Sequence, residues 1–199
     1  MKLLGVDASP YVRKVRIVLE EKRMPYEYVQ ARPSLPDSPV PQFNPLAKIP
    51  VLVTDSGKGI YDSAVIVDYL DALVAEPKLI PADLEARVEV KRWEALGDGV
   101  TDAIVLVSHD YDKVQSADWH RKHRLKIERG LAAMESDLGD RDFCHAGRFS
   151  LADIAAGYAL GYLDRALPDI DWRASHPRLA RLAERLAQRE SFRKTVPRG

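Results

Sequence analysis

Two stretches of this 199-residue chain carry the residue types that chemistry needs. The first is Ser9-Pro10, just after the apolar run Leu3, Leu4, Val6. Serine is a good helix N-cap and proline a good first helical residue, so the Ser9 hydroxyl is placed at the positive end of a helix. The second runs from Asn44 to Ser63. An Asn44-Pro45 turn leads to Lys48, and Ile49-Pro50 stands directly before Val51-Leu52-Val53. A bend, a short strand and Asp62-Ser63 at the head of a helix follow. Proline cannot donate to a strand ladder, so at a strand's first residue it marks an edge or a special bend. If the Ile49–Pro50 bond is cis, the chain reverses there and the backbone polar groups of Ile49 point out of the sheet. An extended peptide can then pair with them. Asp62 and Ser63 sit where backbone N–H groups and the helix dipole attract a carboxylate. The stretch thus offers a hook for a peptide backbone and a hook for a carboxylate. The competing reading is a trans proline opening an edge strand, and an ordinary N-cap.

The bulk numbers exclude several classes. Thirty basic and thirty acidic residues balance to zero, which argues against nucleic acid or an anionic membrane as partner. The single cysteine, Cys144, rules out an intrachain disulfide framework or a cysteine-based metal cluster and reads as a small buried apolar residue. The five histidines show no coherent metal spacing; His120 and His123 read as surface residues. No run approaches the roughly 18 apolar residues of a membrane span. The N-terminus turns acidic too soon for a signal peptide, so a soluble cytoplasmic protein is expected.

The elements that must position these residues follow from periodicity. Val12, Val15, Val18 and Leu19 mark the helix that Ser9 caps, and Tyr26 to Gln30 reads as a second strand. The loop with Pro33, Pro36, Pro39 and Pro41 is expected to be irregular. Val51–Val53 and 59–61 suit an antiparallel hairpin, and Val65, Ile66, Tyr69, Leu70 and Leu73 mark a helix. Beyond Pro77 and Pro81 only helical spacing is found, in Trp93 to Val107, Ile127 to Leu138 and Leu179 to Leu186. Residues 1–76 therefore read as a small α/β domain, 77–83 as a linker and 84–199 as an all-helical domain. Within the latter, Phe149-Ser150-Leu151-Ala152-Asp153-Ile154 forms a capping box with a hydrophobic staple, heading a helix over Leu151 to Leu163 that is apolar nearly all round. Its role is structural, and Asp153→Ala is expected to cost roughly 1 kcal/mol or more.

This order of elements resembles the cytosolic glutathione S-transferases, with a thioredoxin-like first domain and a helical second one. The resemblance covers essentially the whole chain. It rests on the ordered set of residues 9–15, 44–52, Asp62-Ser63 with Tyr69-Leu70, and Ser150 to Asp153. The chain is most similar to bacterial serine-type members, the YibF-like proteins. The resemblance implies a cis Pro50, pairing of the Ile49 backbone with the cysteinyl part of glutathione, and Asp62 and Ser63 holding the γ-glutamyl end. It implies glutathione as co-substrate with no tightly bound cofactor or metal, a small hydrophobic electrophile as second substrate, and a homodimer. Two departures stand out. The family often has Gly where Ala47 stands, harmless unless the backbone there needs a positive φ, and Glu or Gln where Asp62 stands.

The resemblance gives Ser9 a role as well as a cap. Only a few per cent of a free thiol is thiolate at neutral pH. A hydroxyl donated to the sulfur at a helix N-terminus favours the anion, with no catalytic His or Asp required. The thiolate then attacks an electrophile bound toward the helical domain. Tyr11 is the rival hydroxyl, placed inside the helix start where packing is its expected duty. Lys48 and Arg32 are candidates for the glycine carboxylate of glutathione. Asp98 and Asp102, on the long helix with Trp93, could approach a neighbour's γ-glutamyl amine in a dimer; a solvated face is the plainer reading. Two alternatives to conjugation stay open: a glutathione-dependent isomerase of the zeta kind, whose Ser-Ser-Cys-like motif Ala8-Ser9-Pro10 does not match, and a non-catalytic binding or interaction module.

Overall fold

The computed structural model describes residues 1–109 and 114–197. It divides into two compact units, one formed by residues 1–79 together with the segment from Arg189 onward, the other by Ile80–Gln188. The first unit holds β1 (Lys2–Gly5), α1 (Pro10–Glu21), β2 (Glu27–Gln30), α2 (Val40–Phe43), β3 (Val51–Val53), β4 (Gly59–Ile60) and α3 (Ser63–Leu73). Its sheet has the order β2-β1-β3-β4, with β1 parallel to β2 and antiparallel to β3, and β3 antiparallel to β4.

Strand alternation divides the apolar residues between the two faces. Leu4, Val51 and Val53 pack with Ala31 and Val40 on one side, closed by Val29, Phe43 and Ile49. Leu3 and Leu52, register partners, point the other way and are fully buried. α1 covers that second side closely. A Cβ on Gly5 would meet a Val12 methyl at 2.4 Å, so only glycine admits the helix there. The α1 stripe of Val12, Val15, Val18 and Leu19 is fully buried, as its spacing predicts. The β3–β4 hairpin turns through Gly57 at φ +81°, held by Thr54 N–H donating to the Lys58 carbonyl at 2.9 Å.

Three sequence expectations differ from the fold. The proline-rich loop is not wholly irregular, because Val40–Phe43 forms one helical turn with Val40 buried in the core. Pro50 does not open an edge strand, since β3 is flanked by β1 and β4 and the edges are β2 and β4. The helical part does not run to the chain's end. The segment from Arg189 packs with the first unit through α9 (Glu190–Lys194), where Arg189 clasps Glu21 of α1 with two hydrogen bonds of 2.8 and 2.7 Å.

The second unit contains α4 (Leu84–Ser108), α5 (Ala117–Leu138), α6 (Leu151–Ala166), α7 (Trp172–Ser175) and α8 (Pro177–Ala187). α6 is its centre, buried at every position from Leu151 to Leu160. Gly97 lets α4 approach it, since a Cβ there would stand 2.8 Å from the Ala155 carbonyl oxygen. The capping box is present, and Asp153 goes further than the box requires. Its Oδ2 accepts from Ser150 N–H at 2.8 Å and its Oδ1 from Cys144 N–H at 2.7 Å. His123 is buried rather than on the surface. Its ring lies 4.1 Å from that of Trp119, and its Nδ1 donates to the Trp119 carbonyl at 2.9 Å. No helix among the described residues is long and apolar enough to cross a membrane.

Candidate functional site

The strand register gathers the candidate residues. Leu4 pairs with Val51, so the end of β1, which leads into Ser9, lies beside the start of β3, where Ile49 and Pro50 stand. Leu52 pairs with Ile60, so the end of β4, leading into Asp62 and Ser63, lies at that same end of the sheet. Gly5 pairs with Gln30 in the parallel ladder, which puts Arg32 there too. α1 and α3 both begin at this end and pack against each other. Two helix N-termini, each with unsatisfied amides and a partial positive charge, thus open toward one place.

Ser9 is the N-cap of α1, half-buried, with extended backbone dihedrals of −76° and 123°. Its Oγ accepts from Val12 N–H at 3.4 Å, a long cap bond. A serine hydroxyl also carries one proton to donate, and the cap leaves that proton available. Tyr11, the second residue of α1, is half-buried.

Residues 44–50 form a rigid loop whose keystone is Asn44, a residue that sequence reading takes only as part of a turn. Asn44 is 2% exposed. Its Nδ2 donates to the Lys48 carbonyl at 2.9 Å, its Oδ1 accepts from Leu46 N–H at 3.1 Å, and its own carbonyl accepts from Ala47 N–H at 2.9 Å. The signal available in the sequence was Asn before Pro, since asparagine side chains bond their own backbone two residues on. Ala47 has φ +50°, so the backbone at this position does adopt the conformation that favours glycine. The Ile49–Pro50 bond is cis. Ile49 is half-buried, Pro50 buried, and Lys48 exposed.

Asp62 is the N-cap of α3, and its Oδ1 accepts from Ala64 N–H at 3.0 Å and Val65 N–H at 3.4 Å. The shorter acid therefore spends one oxygen on its own helix. Its Oδ2 has no bond among the described residues. Ser63, the first residue of α3, is 5% exposed. Lys48 and Arg32 are both exposed, with no ion pair among the described residues. Asp98 and Asp102 belong to the other unit. Asp98 is not on a solvated face, since it accepts a hydrogen bond from the Tyr158 hydroxyl of α6, whereas Asp102 is exposed.

Behind the site, two ionic clusters brace α1. Arg16 Nη1 donates to Asp7 Oδ1 at 2.6 Å, and its guanidinium lies 4.8 Å from the Tyr28 ring centre. Burial first, then the nearby Asp7 carboxylate, hold the Tyr28 phenol above its usual range, so it stays neutral. At the other end of α1, Lys22 Nζ donates to Asp71 Oδ1 of α3 and to the Pro77 carbonyl, both at 2.8 Å. Asp71 also takes the Leu79 N–H at 2.9 Å and pairs with Lys78 at 2.9 Å. Burial alone would push the Asp71 carboxyl up; the bonds from Lys22, Leu79 and Lys78 outweigh it and hold the group below its usual range.

Comparison with known proteins shows the family to which the chain belongs. Residues 3–78 match the family model of the glutathione S-transferase N-terminal domain, and residues 117–185 that of its C-terminal domain. The uncharacterized GST-like protein YibF of Escherichia coli (strain K12) is 38% identical over 99% of this chain and 98% of its own length. A glutathione S-transferase from Methylobacillus flagellatus, solved with glutathione bound, superposes with a TM-score of 0.94 at 44% identity over 99% of both chains. One from Methylobacterium radiotolerans, in complex with glutathione sulfonate, gives 0.93 at 43% identity, over 100% of this chain and 95% of that one. The chain belongs to the glutathione S-transferase family, with its thioredoxin-like sheet domain and helical domain.

Proposed function

We propose that this protein is a glutathione transferase that conjugates glutathione to small hydrophobic electrophiles through a thiolate stabilised by Ser9. It binds the tripeptide at the sheet end described above and works as a cytoplasmic homodimer. The Ile49 backbone pairs with the cysteinyl residue. The α3 N-terminus and Ser63 take the γ-glutamyl carboxylate, and Asp62 Oδ2 accepts from the γ-glutamyl ammonium. Lys48 and Arg32 face the glycine carboxylate. The observation that carries this reading is the register that brings Ser9, Ile49 and Asp62 to one end of the sheet. The glutathione and the glutathione sulfonate bound in similar structures support it.

The mechanism follows from the charge at sulfur. A hydrogen bond to a charged group contributes about 1.5–3 kcal/mol. Each 1.4 kcal/mol is about one unit of pKa. The Ser9 hydroxyl, aided by the α1 dipole, therefore lowers the thiol pKa by roughly one to two units and raises the reactive fraction at neutral pH by about tenfold or more. The thiolate attacks the electrophilic carbon, and the leaving group departs with its electron pair. Retention on immobilised glutathione, followed by turnover of a generic aryl halide and of maleylacetoacetate, tests the proposal. Ser9→Ala should keep glutathione binding and lower aryl-halide turnover about tenfold or more. Undiminished turnover refutes the role of Ser9, and retention without any turnover favours a binding module.

A further inference from the structure

We propose that Arg16 is a positioning residue for Ser9, and that the returning C-terminal segment backs it. This rests on the reading of Ser9 given above. The β1–α1 loop that carries Ser9 contains Asp7, and Ser9 N–H donates to the Val6 carbonyl at 3.0 Å, so loop and cap form one tight unit. Arg16 ties that loop to the second turn of α1 through its 2.6 Å bond to Asp7. The pair is sheltered, with side-chain exposures of 15% for Arg16 and 24% for Asp7. The other faces of the guanidinium are also occupied, by the Tyr28 ring and by the Lys194 carbonyl of α9 at 3.5 Å.

α9 has its own reason to be there. The last carbonyls of a helix lack intrahelical partners and carry partial negative charge. Arg13 Nη2 donates to the Phe192 carbonyl at 3.5 Å, as Arg16 does to that of Lys194. Two cations of α1 thus cap the end of α9, while Glu21 clasps Arg189 and Ser191 at its start. The α1 residues at 13, 16, 20 and 21 are all engaged by this short segment. The consequence is a chain of contacts from Lys194 through Arg16 and Asp7 to the turn that aims the Ser9 hydroxyl.

The test uses Ser9→Cys, whose introduced thiol reports the geometry and field at the α1 N-terminus without any glutathione. Its pKa is read from the pH dependence of iodoacetamide alkylation in the full-length protein. Arg16→Gln and Asp7→Asn are then added separately. Loss of Asp7's negative charge, acting by field alone, lowers the thiol pKa; loss of its grip on the loop raises it. Positioning predicts that both substitutions raise the pKa, with alkylation at neutral pH slowed about threefold or more, a half-unit shift. Glu21→Gln, which loosens the clasp on Arg189 that holds α9 on α1, should shift it the same way by less, and Arg16→Lys should recover part of the loss. A lowered or unchanged pKa in Asp7→Asn overturns the proposal, as does an unchanged pKa in Arg16→Gln. If native protein binds no glutathione in calorimetry, the proposed function fails while the thiol readings still decide the role of Arg16.

Discussion

Replacing Asp153 with alanine removes the acceptor of two buried backbone amides at once. The carboxylate is 0% exposed and holds Ser150 N–H at 2.8 Å and Cys144 N–H at 2.7 Å, with the Ser150 hydroxyl at 3.2 Å. A capping residue alone is worth about 1 kcal/mol. A buried donor left without a partner costs about 1–3 kcal/mol, so two of them give about 2–6 kcal/mol. At this chain length 1 kcal/mol moves the melting temperature by about 2–4 °C, so a loss of about 4 kcal/mol lowers it by about 8–16 °C. Urea and thermal unfolding followed by circular dichroism measure it. Ser150→Ala is the internal standard, since it removes a hydroxyl that accepts from Ala152 N–H at 3.3 Å and donates to Asp153 but leaves both buried amides their acceptor, and it should cost about 1 kcal/mol. Asp153→Asn keeps the shape but only one acceptor oxygen and should fall between. A loss in Asp153→Ala no larger than that of Ser150→Ala would refute the claim that this carboxylate anchors the 144–150 loop as well as the helix.

Other consequences are as direct. Asp71 is held below its unfolded pKa of about 3.9, so its contribution to stability is full above that value and is lost as pH falls through the folded pKa. Acid titration of unfolding should show this loss in the native protein and not in Asp71→Asn, which should also be destabilised by about 3–5 kcal/mol at neutral pH because Lys22 is left buried and unpaired by charge. Ala47→Gly should raise stability by about 0.5–1 kcal/mol, since a left-handed alanine is strained by about 1–2 kcal/mol and glycine returns part of that through unfolded-chain entropy. Equilibrium urea unfolding measures that gain. Cys144 should resist alkylation in the folded protein, because burial and the neighbouring Asp153 carboxylate push its thiol well above the usual range. Rapid labelling by a thiol reagent without denaturant would contradict this.

Much of the molecule was legible from local pattern. The α1 stripe, the β3–β4 hairpin and the Ser150–Asp153 box are encoded within a few residues of one another, and short-range chemistry fixes them. The site was legible as a set of residue types, Ser9, Ile49-Pro50 and Asp62-Ser63. Their convergence required the β1–β3 and β3–β4 pairings, which periodicity alone does not specify. What stayed hidden depends on distant partners. His123 looks polar on a helix until Trp119 and the surrounding core close over it. Arg13 and Arg16 look solvated until a segment nearly 180 positions later covers them. α7 and α9 are single turns too short for a periodic signal. Asn44 reads as a turn residue, and only its two side-chain bonds reveal it as the brace of the 44–48 loop.

The sheet-bearing unit is assembled from two stretches of sequence, residues 1–79 and the segment from Arg189, separated in the sequence by the helical unit. During synthesis a ribosome therefore releases α1 long before the α9 segment that roofs its outer side. The helical unit can close while translation continues, but the sheet unit waits for the codons of α9. Fragments cut near residue 80 omit that roof, so an excised amino-terminal piece is an unfinished object rather than a miniature of the native one.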